Sequence, residues 1–147
     1  MLKLAQITLL LFTIGLFSNC SYVTQFYILN QSDQVIEIEY KTSNSLRLNI
    51  NARIIEAKRV RHLGEVISEV ESINNIVVCK LLPKQGLVIG HNLNFTLENP
   101  KEAGDLNKSF EYFYVRKNGQ TIIDTGEKPL SSYFKTINLQ TIAIIVK

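Results

Sequence analysis

From Tyr22 onward the chain is cut into short runs. Stretches rich in β-branched and aromatic residues are broken by turn-forming clusters about every 8–15 residues. Gln31-Ser32-Asp33, Ser43-Asn44-Ser45, Pro83-Lys84-Gln85-Gly86, Gly90-His91-Asn92, Asn118-Gly119 and Gly126-Glu127-Lys128-Pro129 are the breaks. This spacing leaves little room for helices. It predicts an all-β fold: a single β-sandwich of about 7–9 short antiparallel strands, with at most one short helix and a small barrel as second choice.

The clearest strand is Val35 to Tyr40, where Ile36, Ile38 and Tyr40 alternate with Glu37 and Glu39, the pattern of a half-buried strand. Tyr22 to Leu29 precedes it, and the two runs suggest a hairpin across Gln31–Asp33. Leu46, Leu48, Ile50, Ala52 and Ile54 alternate with polar residues in a further strand. Residues 55–70 are ambiguous between a strand continuing past Ile54 and a short helix crossing an end of the sheet. Gly64 interrupts the helical spacing of Val60, Leu63, Val66, Ile67 and Val70. Ile76 to Leu82 is the most apolar strand, and Ile142 to Val146 needs an inner position, because an exposed edge of that kind invites aggregation. Asn118-Gly119 is the strongest hairpin turn, since both central residues of a type I′ turn need positive φ. Glu98 to Lys108, with Pro100 and Gly104, is the longest loop candidate and hence a candidate contact surface.

The first twenty residues have a different character. Met1-Leu2-Lys3 is a short basic start, Ile7 to Phe17 is an apolar run, and Ser18-Asn19-Cys20 closes it. One positive charge, an apolar core and a small-residue exit make the layout of an export signal. With a cysteine at the exit it resembles a bacterial lipoprotein signal: Leu16 and Phe17 precede Ser18-Asn19, and Cys20 stands where the lipidated residue belongs. Asn19 departs from the Gly, Ala or Ser usual before that cysteine. Cleaved soluble export and a retained anchor are the alternatives. The run is short for a spanning helix and is interrupted by Thr8, Thr13 and Gly15. The resemblance implies residues 1–19 as a signal peptide and residues 20–147 as one domain, anchored through acyl chains on Cys20.

Phe26-Tyr27-Ile28-Leu29-Asn30-Gln31-Ser32 after the anchor, and Leu81 to Gly90 in mid-chain, resemble the small lipoproteins of Bacteroidota whose mature part is one Ig-like sandwich. That likeness implies a fold and a place in the cell envelope. Ser21-Tyr22-Val23-Thr24-Gln25 lacks the acidic run of surface-exposed members, which implies an outer-membrane protein facing the periplasm.

The mature part carries 15 Lys and Arg against 13 Asp and Glu. Nucleic-acid binding calls for a strongly basic face, so nucleic acid is not an expected partner. Cys79 lies in the apolar strand and reads as a core thiol. Were Cys20 not lipidated, a Cys20–Cys79 disulfide would be open to it. His62 and His91 lack ligand-spaced partners, and no metal or cofactor is expected. Ile122-Ile123-Asp124-Thr125-Gly126 matches the aspartic-protease signature, in which two aspartates share a proton and which a homodimer could supply. Glu127 and the short remaining chain do not suit that fold, and a turn explains Asp and Gly equally well. Arg53, Lys58, Arg59, Arg61 and His62 form a basic stretch whose acidic neighbours Glu65, Glu69 and Glu71 offset it. Phe110, Tyr112 and Tyr114 share one strand parity and read mainly as core packing, with stacking on sugars as the other use. These features add up to a non-catalytic accessory or binding lipoprotein with an envelope protein partner. A small-molecule or lipid binder of barrel type is the alternative, and a protease-like homodimer through Asp124 the remote one.

Overall fold

The computed structural model describes residues 21–44, 48–60 and 63–147, which form two stacked β-sheets. The strands are β1 (Val23–Asn30), β2 (Ile36–Thr42), β3 (Asn49–Glu56), β4 (Val66–Glu69), β5 (Ile76–Leu81), β6 (Gln85–Leu93), β7 (Phe110–Lys117), β8 (Gln120–Asp124), β9 (Lys135–Asn138) and β10 (Thr141–Val146). Six of them line up as β4-β3-β6-β1-β10-β9 and four as β5-β2-β7-β8. The all-β sandwich expected from the turn spacing is what forms. Neither sheet closes among the described residues, which sets the barrel aside. The strand number exceeds the expected range because β4 and β9, four residues each, add one short edge apiece to the six-stranded sheet.

The two sheets solve burial differently. In β2 the inward Ile36, Ile38 and Tyr40 are fully buried, while Glu37, Glu39 and Lys41 face out. β1 is buried on both sides: Phe26 and Ile28 point between the sheets, and Tyr27 and Leu29 belong to a second apolar cluster on the outer face. Val60 and Leu63 from the β3–β4 connection, with Ile137 of β9, pack over that outer cluster. β1 has β6 antiparallel on one edge and β10 parallel on the other, and a doubly covered central strand is where continuous apolar runs belong. Gly86 makes the outer packing possible, since a Cβ there would lie 2.9 Å from the Leu29 side chain. Between the sheets, Phe26 meets Phe95 edge-on at 4.8 Å, and Tyr40 stacks on Phe113 at 5.1 Å.

Four expectations need correction. β1 and β2 are not a hairpin but lie in different sheets, because both edges of β1 are occupied. The fully buried Asn30 turns the chain across: its amide donates to the Gln34 and Leu81 carbonyls (2.8 and 3.0 Å), and its Oδ1 accepts from Ser32. Residues 55–70 are neither a long strand nor a helix. β3 stops at Glu56 and β4 returns antiparallel to it, with the Gly64 N–H donating to the Glu56 carbonyl at 2.7 Å. Glu98–Lys108 is not a loop: Pro100–Lys108 forms a helix, α1. Asn99 caps it by accepting from the Lys101 N–H, Pro100 opens its first turn, and Glu102 donates its charge to that turn's positive end. Finally, Phe110, Tyr112 and Tyr114 do not share one face. A register shift in the β2–β7 pairing between Lys41 and Thr42 turns Phe110 into the core, leaving Tyr112 and Tyr114 half-buried on the outside.

Candidate functional site

The strands of both sheets run between two ends. Ser21 and Tyr22 join the domain at the proximal end, beside the start of β10 and the finish of β6. The finish of β1, the start of β2 and the β7–β8 turn mark the distal end. This turn is the type I′ hairpin expected at Asn118-Gly119, with φ of 52° and 74°.

A surface groove of ≈ 490 Å³ opens at the distal end of the four-stranded sheet. Val35 and Leu82 supply its apolar walls and are 41% and 53% exposed. Lys80, Glu37 and Arg116 supply its charges. Lys80 Nζ sits 2.8 Å from Glu37 Oε1, and this hydrogen bond and charge hold the Glu37 carboxyl below its ordinary range. The turns around the groove are tied together. The Asn118 amide donates to Gln34 Oε1 at 2.7 Å, and Lys117 Nζ donates to the Lys147 carbonyl at 2.7 Å. Lys84 holds positive φ in the β5–β6 turn, where Pro83 takes the first central position and the Gln85 N–H donates to the Leu82 carbonyl.

The groove continues onto the outer face of the four-stranded sheet. Tyr112 and Tyr114 stack there at 5.3 Å, and the Arg116 guanidinium lies 5.5 Å from the Tyr114 ring centre. Glu39 joins them: it accepts from Arg116 Nη1 at 3.1 Å and from the Tyr112 hydroxyl at 3.3 Å. Loss of water, then the Glu39 charge, raises the Tyr112 phenol. The groove and the face beside it offer apolar contact at Val35 and Leu82, stacking at the tyrosines, and ionic contact at Lys80 and Arg116.

The residues singled out in the sequence are dispersed. Asp124 ends β8 opposite Tyr114, midway along β7, where its Oδ1 accepts from the Gly126 N–H at 2.7 Å and its carbonyl accepts from Glu127, Lys128 and the Tyr133 hydroxyl. Phe113 and Thr125 exchange backbone and side-chain bonds across it. The Asp-Thr-Gly motif thus works as a turn. His91 is half-buried on β6, opposite Gln25 and Asn49. No group of three metal-ligating side chains gathers among the described residues. Cys79 is a buried free thiol in the core, pushed up to about 11 by burial. Of the basic stretch, Lys58 pairs with Glu56 at 3.1 Å and Arg53 is half-buried on the outer face of the six-stranded sheet. Cys20, the apolar N-terminal segment before it, Leu46, Arg61 and His62 lie outside the described residues.

Sequence reasoning missed Val35, Leu82 and Arg116. A signal existed for two of them. Val35 sits beside Ile36 and Leu82 beside Leu81, so each puts a second apolar residue where a one-sided strand wants a polar one, next to a turn.

Fold and site together define a two-sheet all-β sandwich with a surface groove at one end. No family model matches the chain, and neither a curated protein nor a solved structure matches it.

Proposed function

We propose that this chain is a lipid-anchored, non-catalytic binding module of a bacterial cell envelope, held through Cys20 and presenting its distal groove to a protein partner. One observation carries the reading: the groove opens at the end of the sandwich opposite the point where Ser21 joins it. A module tethered at one end and grooved at the other leaves its recognition surface free. The apolar walls with flanking cations suit an extended segment bearing an aliphatic side chain and a carboxylate, where charge favours encounter and the apolar contact holds. The tyrosines and Arg116 extend that surface along the sheet.

Intact mass of the protein from its native membrane fraction tests the anchor beside a Cys20→Ala variant. The expected result is an acylated mass beginning at Cys20, lost in the variant together with membrane association. An unmodified Cys20 overturns the anchor. Capture of envelope proteins by the extracted wild type, compared with Leu82→Asp, tests the groove. Consistent absence of a protein that the variant loses overturns it.

A further inference from the structure

Among the described residues, the proximal end carries exposed aliphatic side chains. Leu139, in the β9–β10 turn, is 71% exposed; Leu93, at the end of β6, is 61% exposed; Val23, paired with Leu93, is 42% exposed. They stand around the point where the chain joins the domain. The backbone there is held firmly. The Tyr22 N–H donates to Asn94 Oδ1 and the Asn94 N–H to the Tyr22 carbonyl, both at 2.9 Å. The fully buried Thr24 hydroxyl bonds the carbonyls of Phe95 and Leu139, at 3.2 and 3.1 Å, fixing the Leu139 turn to β1. The side chains between these aliphatics are largely uncharged, including Asn92, Asn94, Asn138 and Gln140. Among the described residues, Glu98 is the one charged residue lining the groove beside Tyr22.

Only Ser21 separates Cys20 from this fixed backbone. An extended residue spans about 3.5 Å, so a lipid on Cys20 holds Tyr22 within roughly 10 Å of the acyl boundary. That is the depth at which surface-bound apolar side chains settle. A tether this short cannot let the domain float away from the bilayer, and it must place one particular end against it.

We infer that the proximal rim, Leu139, Leu93 and Val23, is seated in the interface of the membrane that holds the anchor. This rests on the lipid-anchor reading and deepens it: the domain stands upright on the bilayer by a lipid and an apolar footing, with the distal groove pointing away. Glu98 keeps its charge, because hydrogen bonding from Thr96 and its own backbone holds its carboxyl low. With exposed aliphatics set among uncharged Asn and Gln side chains, the footing is apolar, and added salt leaves it in place.

The chain contains no Trp, so a single introduced one reports its own depth. Full-length acylated Leu139→Trp, Leu93→Trp and, at the distal end, Val35→Trp are reconstituted into phosphatidylethanolamine–phosphatidylglycerol vesicles with brominated acyl chains. The exposed positions keep the fold, which circular dichroism checks, and two rim sites guard against one failing. Flotation with the vesicles reads the anchor, and bromine quenching reads the footing. Loss of most Trp emission at positions 139 and 93, unchanged by salt, with none lost at 35, supports the inference. Flotation with equal quenching at all three positions overturns the footing and leaves the anchor standing. Failure to float overturns the anchor, and the footing with it.

Discussion

The two sheets differ in how many faces they bury. The four-stranded sheet is one-sided: Ile38 is buried and its neighbour Glu39 is solvated. The six-stranded sheet is two-sided at its centre: Ile28 and Leu29 are adjacent in sequence, face opposite ways, and are both fully buried. A one-sided sheet can spend its outer face on recognition, which is where Tyr112, Tyr114, Arg116 and Glu39 lie. A two-sided sheet cannot, and its centre serves as the rigid spine joining the proximal and distal ends.

Alanine substitutions put this difference at risk directly. Ile28→Ala and Leu29→Ala are each expected to cost about 2–5 kcal/mol, because each empties a packed site. In β2 the adjacent pair Ile38 and Glu39 splits, and of the two Ile38→Ala carries that cost. Glu39→Ala stays below about 1 kcal/mol, as expected for a partly exposed ion pair. Urea unfolding of the four variants measures it. A cheap Leu29→Ala would show that the outer apolar cluster is not closed, and the two sheets would then be alike.

Cys79 sharpens the same point at the edge of the one-sided sheet, where Val78 is 65% exposed and Cys79 only 9%. Burial lifts the thiol from 9.0 to about 11. The unfolded chain gives up that proton first, so stability is full below pH 9 and declines as pH rises through about 11, by roughly 2–3 kcal/mol. In a Cys20→Ala background, the fall in urea midpoint between those pH values is expected to be larger with Cys79 than with Cys79→Ala. Equal falls would mean that water reaches the inner face at β5.

Much of this contrast was legible in the sequence. Alternation marked β2, since one solvated face writes itself as every second residue polar. The unbroken Phe26-Tyr27-Ile28-Leu29 and Ile142–Val146 runs marked strands, but not their partners. A run buried on both sides carries no face information, so β1 could be paired in sequence order with β2 when its edges belong to β6 and β10. α1 was hidden by its own breakers. Pro100 and Gly104 read as loop residues, yet Asn99-Pro100-Lys101-Glu102 is a helix start, and the capping pattern deserved more weight than Gly104. The distal groove assembles Val35, Leu82 and Arg116 from three separate strand ends, and no local pattern can announce that.

The inner face of the four-stranded sheet holds one polar anomaly. Tyr40 is fully buried among Phe110 and Phe113, and its hydroxyl has no hydrogen-bond partner among the described residues. Burial accordingly drives its phenol well above the ordinary tyrosine value. A buried hydroxyl that gave up water without a replacement destabilises the native state, whereas the ring contributes through its stacking and edge contacts. Tyr40→Phe keeps the ring and removes the anomaly, so it is expected to raise stability by about 1 kcal/mol. The same urea series measures it, and the gain should survive in the Leu29→Ala background, since the two sites lie in different apolar clusters. A loss in place of a gain would mean that the hydroxyl has a partner in solution and that the one-sided sheet's inner face is less dry than its partner's.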